Sequence, residues 1–194
     1  VELLAQPGDA FRVNDKRTLP QWSPTRFQPP KRKKANAVEA SCLVLDYDDG
    51  TTIDEALLAW GQWCLLLHTS WSHRPEAHRF RVVLPLDRDI SKSEYPTAWR
   101  WAEDHCGQVI DKHCKDISRA WVMPACDLED YEQQRRYDFR FIDAPLLRVD
   151  DILKWAPEDN VVPLPSLVKL RDTPDYRGLR SLHLDPDARA EVGH

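Results

Sequence analysis

A chain of 194 residues, 42% of them apolar, has material for one domain, or two tightly joined lobes, around a hydrophobic core. The net charge of -5 gives no overall pull toward nucleic acid, and no stretch approaches the roughly 20 apolar residues of a membrane span, so no membrane association is expected. Five scattered cysteines without a Cys-x-x-Cys pair argue against a disulfide framework and for a reducing, cytoplasmic setting.

The chain opens on Val1 with no signal-peptide pattern, and its sole methionine is Met123; it reads as a processed or excised domain. Residues 1–38, interrupted by Pro7, Pro20, Pro24, Pro29 and Pro30, read as an irregular arm. Within it Lys31, Arg32, Lys33 and Lys34 form a basic run. Such a run is most often a solvated arm, and it can also contact DNA template phosphates in a salt-dependent way.

Ser41–Asp48 reads as a strand ending in Asp46-Tyr47-Asp48-Asp49-Gly50. Residues two apart in a strand share a face, so Val44, Asp46 and Asp48 point one way and Leu43, Leu45 and Tyr47 the other, toward a core. Two carboxylates one pleat apart suit a shared divalent cation; a solvated turn is the alternative and suits Asp49-Gly50. A helix over Thr52–Gly61 follows, capped by Thr51 or Thr52, with Asp54 and Glu55 in its first turn.

Trp63–Thr69 and Phe80–Leu84 are the next expected strands. Between them lie Ser70, Trp71, Ser72 and His73; Arg79 and Arg81 share one face of the second strand, with Phe80, Val82 and Leu84 opposite. Hydroxyls, imidazole and guanidinium forks are groups that hold a triphosphate, though each residue alone is as readily a turn or surface pair. Trp71, beside this loop, is the tryptophan placed to contact a base, whereas Trp60, Trp63, Trp99 and Trp101 fall at core positions.

Ser91-x-x-Glu94 matches a capping box opening a helix to about Cys106. A short strand leads to Asp111, which directly follows Val109 and Ile110 and is therefore a better ligand candidate than Asp116, a turn former. Strands are expected at Arg119–Pro124 and Arg136–Ile142, then a helical turn or two at Asp150–Trp155. In the first of these Arg119 and Trp121 share a face on which cation and indole can meet a nucleotide. His105, Cys106, His113, Cys114 and Cys126 match no standard zinc spacing, so zinc is not expected. Strands and helices interleave, giving an α/β or α+β class. These groups alone fit metal-dependent phosphate chemistry without separating polymerase from nuclease.

In this order the motifs resemble the archaeo-eukaryotic primase superfamily, in its plasmid and phage branch of primase-polymerases. Asp46-Tyr47-Asp48 fits the acidic strand-end motif; Val109-Ile110-Asp111 with Ser118-Arg119-Ala120-Trp121 fits the hydrophobic-Asp and Arg-strand motif. The Ser-x-His motif departs, since Ser70 and Ser72 precede His73 at spacings of three and one. The resemblance spans about Ser41 to Pro124. It implies a catalytic core over 39–156 pairing an α/β module with an RNA-recognition-like module, with a Pro- and Asp-rich extension over 157–194. It further implies two divalent metals, Mg²⁺ or Mn²⁺, on Asp46, Asp48 and Asp111. His73, helped by Ser70 or Ser72 and by Arg79, Arg81 and Arg119, would bind the nucleotide phosphates. The implied activity is primase-polymerase synthesis from NTPs or dNTPs on single-stranded DNA, with primer, in plasmid or phage replication. A helicase domain elsewhere in a longer chain is compatible with that architecture. Two other readings remain: a replication-initiator nicking nuclease, disfavoured by the lack of a His-hydrophobic-His triplet, and a non-catalytic nucleic-acid-binding module of the same fold.

Overall fold

In the computed structural model, residues 13–107, 109–126 and 138–155 are described. Their framework is a five-stranded sheet of order β2-β3-β5-β4-β7. It comprises β2 (Thr25–Phe27), β3 (Ala37–Tyr47), β4 (Leu65–Thr69), β5 (Phe80–Ser91) and β7 (Phe139–Ile142), every neighbouring pair antiparallel. A two-stranded ribbon joins β1 (Gln21–Trp22) to β6 (Trp121–Val122). Helices α1 (Ile53–Trp60), α2 (Tyr95–His105) and α3 (Val149–Lys154) complete an α+β fold. Among the described residues no helix is long and apolar enough to cross a membrane.

The core centres on β3. Leu43, Val44 and Leu45 are all fully buried, so both faces of the strand are covered where a one-sided sheet would alternate. Tyr47 stacks on its cross-strand partner Phe80 at 4.9 Å and accepts a 2.7 Å hydrogen bond from Trp60 Nε1. That bond seats α1 on the face carrying Leu43, Leu45 and Tyr47. Thr52 and Glu55 form the reciprocal capping box of α1, with Glu55 N donating to Thr52 Oγ1 and Thr52 N to Glu55 Oε2, and Ile53, Ala56 and Trp60 are its buried stripe. Trp60 and Trp99 are buried, and the rings of Trp60, Trp63, Trp101 and His105 pack together.

Several expected elements are shifted. β5 runs through Ser91, with its register to β3 broken around Pro85, which has no N–H to give the ladder. Ser91 and Glu94 exchange the bonds of a capping box, Ser91 N to Glu94 Oε2 and Glu94 N to Ser91 Oγ, yet they close the turn out of β5 and α2 begins only at Tyr95. Among the described residues no strand leads to Asp111; its N–H donates to Asp46 O, on the edge of β3 that short β2 leaves uncovered. The strand expected from Arg119 starts at Trp121, because an Asp116 turn, bonded to Ser118 N and Oγ, holds the residues before it.

The arm expected to be irregular over 1–38 carries β1 and β2, each too short to show periodicity, with prolines at their ends instead of inside them. The expected strand residues before Asp138 and the extension over 157–194 lie outside the described residues. Replacing Tyr47 with Phe leaves the buried indole N–H of Trp60 unpaired and is expected to cost about 1–3 kcal/mol in urea denaturation. An unchanged midpoint would show that this contact does not anchor α1.

Candidate active site

Side chains opposite the Tyr47 face form the site. The register pairs Asp46 with Arg81 and Arg81 with His68, so three neighbouring strands place an acid, a cation and an imidazole in one row. The segment Asp111–Met123 lies against this row: Arg81 Nη1 donates to Val122 O at 3.1 Å, and Asp111 N to Asp46 O at 2.9 Å. Thr25 Oγ1 donates to Ile117 O, Ser23 Oγ to Arg119 O and Met123 N to Pro20 O. The N-terminal strands thus fix the segment carrying Asp111 and Arg119.

Carboxylate oxygens of Asp46 and Asp111 and the Cys114 sulfur all lie within 4.8 Å of one another. Arg81 Nε stands 3.2 Å from Asp46 Oδ1, and Arg119 Nη2 donates to Asp111 Oδ2 at 3.2 Å. Asp111 Oδ1 also caps a 3-10 turn by accepting from His113 N at 2.9 Å. Burial pushes the Asp46 carboxyl up; Arg81 and Arg119 oppose that rise, and Asp111 and Asp48 add to it. Burial, reinforced by the Asp46 charge, raises the Cys114 thiol to about 12. Arg81 Nε and Arg119 Nε are buried without a hydrogen-bond partner. The two acids are therefore charge-compensated by the two guanidinium groups.

The donor set fits a divalent cation. Two carboxylates at this spacing match the hard-oxygen preference of Mg²⁺ or Mn²⁺; a sulfur ligand suits a softer ion. Asp48 stands apart. It lies one residue beyond β3, half exposed, with Arg79 Nη1 at 3.7 Å, because the strand ends at Tyr47 before a second pleat can carry it over the buried row.

Ser70, Trp71 and Ser72 line a cleft of about 250 Å³ together with Arg81. His73 closes their turn: its N–H donates to Ser70 O at 3.0 Å, and its Nδ1 accepts from Arg79 N at 3.1 Å. Burial, then the neighbouring His78, lowers His73 to about 4, so it is a neutral imidazole spent on holding the loop. Trp71 donates to Val13 O at 2.9 Å. Trp121 is buried against Trp22, centroids 5.6 Å apart, instead of facing a nucleotide. Lys31, Arg32, Lys33 and Lys34 are exposed just before β3, about 30 Å along that strand from Asp46 at 3.3 Å per residue.

His68 was not singled out by sequence, since it reads as one more position in an apolar strand. It is fully buried, with Nδ1 3.0 Å from Thr69 O and Nε2 lacking a partner. Burial, with Arg81 beside it, lowers it to about 3. Cys114, weighed in the sequence only as a zinc ligand, gains its place here because the fold brings Asp46, 68 residues away, beside it and Asp111.

An antiparallel α+β core carries a partly buried acid near the end of β3, facing a second acid and two arginines. The VapE N-terminal domain family model matches residues 25–159, and the chain belongs to this family. The family occurs in phage and plasmid primase-polymerase-like proteins, in keeping with the resemblance to the archaeo-eukaryotic primase superfamily. Among solved structures the chain is similar to the primase-polymerase domain of cyanophage S-2L, at 12% identity and a TM-score of 0.45, spanning 63% of each chain. No curated protein matches the sequence.

Acid sensitivity follows from His68. Its folded pKa of about 3 lies below the ordinary 6.5, so the unfolded chain takes up the proton first as pH falls. The stability contributed above pH 6.5 is lost progressively toward pH 3, about 2 kcal/mol of it by pH 5. Urea denaturation at pH 7 and pH 5 is expected to show this loss, and His68→Phe to reduce it; an equal pH dependence in the variant would contradict the assignment.

Proposed function

We propose that this domain is the nucleotidyl-transfer module of a phage- or plasmid-type primase-polymerase, joining nucleoside triphosphates to a 3′-hydroxyl on single-stranded DNA. The observation that carries the reading is the partly buried Asp46–Asp111 pair, bracketed by Arg81 and Arg119 and adjoining, through Arg81, the serine-lined cleft. One end of this arrangement suits a cation and the other a polyphosphate.

Asp46 and Asp111 hold the divalent cation, Mg²⁺ or Mn²⁺. When bound, that ion supplies Lewis-acid charge to phosphoryl oxygens and lowers the pKa of the attacking hydroxyl. Arg81 borders both the acids and the cleft, so its fork can turn from carboxylate to phosphate oxygens as charge develops there. Arg119 plays the same part beside Asp111. Ser70 and Ser72 donate hydroxyl hydrogen bonds to phosphate, and His73 orients their loop through the Arg79 N–H. Asp48, at the exposed strand exit, serves a second cation more loosely. Arg79, paired with Asp48, contributes charge at the rim.

The ion pairs already made by both acids favour a second reading, a non-catalytic nucleic-acid-binding module in which these pairs are only structural. Primer extension in Mn²⁺ separates the two. Asp46→Asn and Asp111→Asn are expected to lower synthesis about 100-fold or more, as loss of a transition-state electrostatic contact does, and Asp48→Asn by less. Template-dependent synthesis undiminished in the first two variants would eliminate the catalytic reading.

A further inference from the structure

The cleft beside Arg81 has a wall that the phosphate loop does not supply. Lys16 and Arg17, in a 3-10 turn of the N-terminal segment, line it together with Ser70 and Ser72. We infer that this segment is a strap completing the nucleotide site, with Lys16 as an additional ligand for the polyphosphate of the incoming nucleotide. The inference rests on the proposed function, and it goes beyond it by adding a residue from outside the motif-bearing segments.

Three observations carry it. First, the strap is tied down on both sides of Lys16. Trp71 of the phosphate loop donates to Val13 O at 2.9 Å, and beyond the turn Met123 N donates to Pro20 O at 2.9 Å, followed by the β1–β6 ribbon. Loop and strap therefore form the two walls of one cleft, and the position of Lys16 is set by hydrogen bonds that also fix the serines.

Second, the cationic side chains of the strap are unequally committed. Asp15 binds Arg17 through Nε at 3.0 and 2.9 Å and Nη2 at 2.7 Å, and also caps the turn through Arg17 N. The Arg17 charge is thus largely offset. Lys16 forms no ion pair with any described carboxylate, which leaves its ammonium as the strap's uncommitted cation.

Third, the residues lining the cleft include Lys16, Arg17 and Arg81 and no carboxylate. Asp46, the acid paired with Arg81, lies on the cation side of the site, and Asp15 is engaged by Arg17. A chain of phosphates running from the acid pair past Arg81 would meet Ser70 and Ser72 on one side and Lys16 on the other. Lysine acts on phosphate as a flexible point charge, which suits the distal end of a polyphosphate. A nucleoside monophosphate lacks the distal phosphates that this charge would meet.

The test is calorimetric titration, in Mn²⁺, with a non-hydrolysable deoxynucleoside triphosphate and with the corresponding monophosphate. Because the Lys16 side chain is exposed, Lys16→Ala and Lys16→Glu are expected to keep the wild-type unfolding midpoint. For the triphosphate, Lys16→Ala is expected to weaken binding about 5–10-fold, in the range of a partly solvated charged hydrogen bond, and Lys16→Glu further. Monophosphate affinity should change less than about twofold. Wild-type triphosphate affinity in both Lys16 variants, with binding lost in Arg81→Ala, would overturn the strap's role while leaving the nucleotide site standing. Equal weakening for both ligands would overturn it as well, by showing only a general field effect. Absence of triphosphate binding by the unaltered chain would overturn both the inference and the function on which it rests.

Discussion

The site depends on the cost of ending a doubly buried strand in an acid. Leu43, Val44 and Leu45 are inaccessible on both faces, so Asp46 emerges directly from the core and burial raises its pKa. An isolated carboxylate there would be strongly disfavoured. Arg81, its cross-strand partner, and Arg119, from the segment facing the sheet, supply the compensation. Arg81, which stabilises the fold by this pairing, is also the arginine that lines the neighbouring cleft.

That constraint explains the N-terminal segment. Arg119 and Asp111 belong to a stretch with little regular structure of its own, a 3-10 turn and the two-residue β6. They reach the sheet because Ser23, Thr25 and the β1–β6 ribbon grip that stretch. The same N-terminal segment then continues back across the Ser70–His73 loop, where Trp71 binds it. One piece of chain thereby positions the second acid and walls the cleft beside the first.

Much of the frame was legible in the sequence. The run Leu43–Tyr47 announced a strand, and a Thr51 or Thr52 cap with Asp54 and Glu55 in the first turn announced the start of α1; the structure selects Thr52 and adds a capping box with Glu55 that the sequence reading did not name. Alternation along Phe80–Leu84 correctly put Arg81 on the face away from Phe80 and Val82. Asp111 stood out because it follows apolar residues, and it does meet Asp46. Pleat geometry grouped Asp48 with Asp46, but this reading assumed that the strand ran through Asp48, and it stops at Tyr47. The N-terminal strands were hidden because two- and three-residue edge strands bounded by prolines carry no period. His68 and Cys114 were hidden for a different reason: an imidazole in an apolar strand and a thiol in a short turn acquire meaning only from what the tertiary fold puts beside them.

The central claim is that Asp46 and Asp111 act together as one cation site, not as two structural ion pairs. Titration with Mn²⁺ followed by electron paramagnetic resonance tests it most directly. The account predicts saturable Mn²⁺ binding that is lost in either Asp46→Asn or Asp111→Asn, in protein that remains folded by circular dichroism. Mn²⁺ binding that persists unchanged in both folded variants would contradict it.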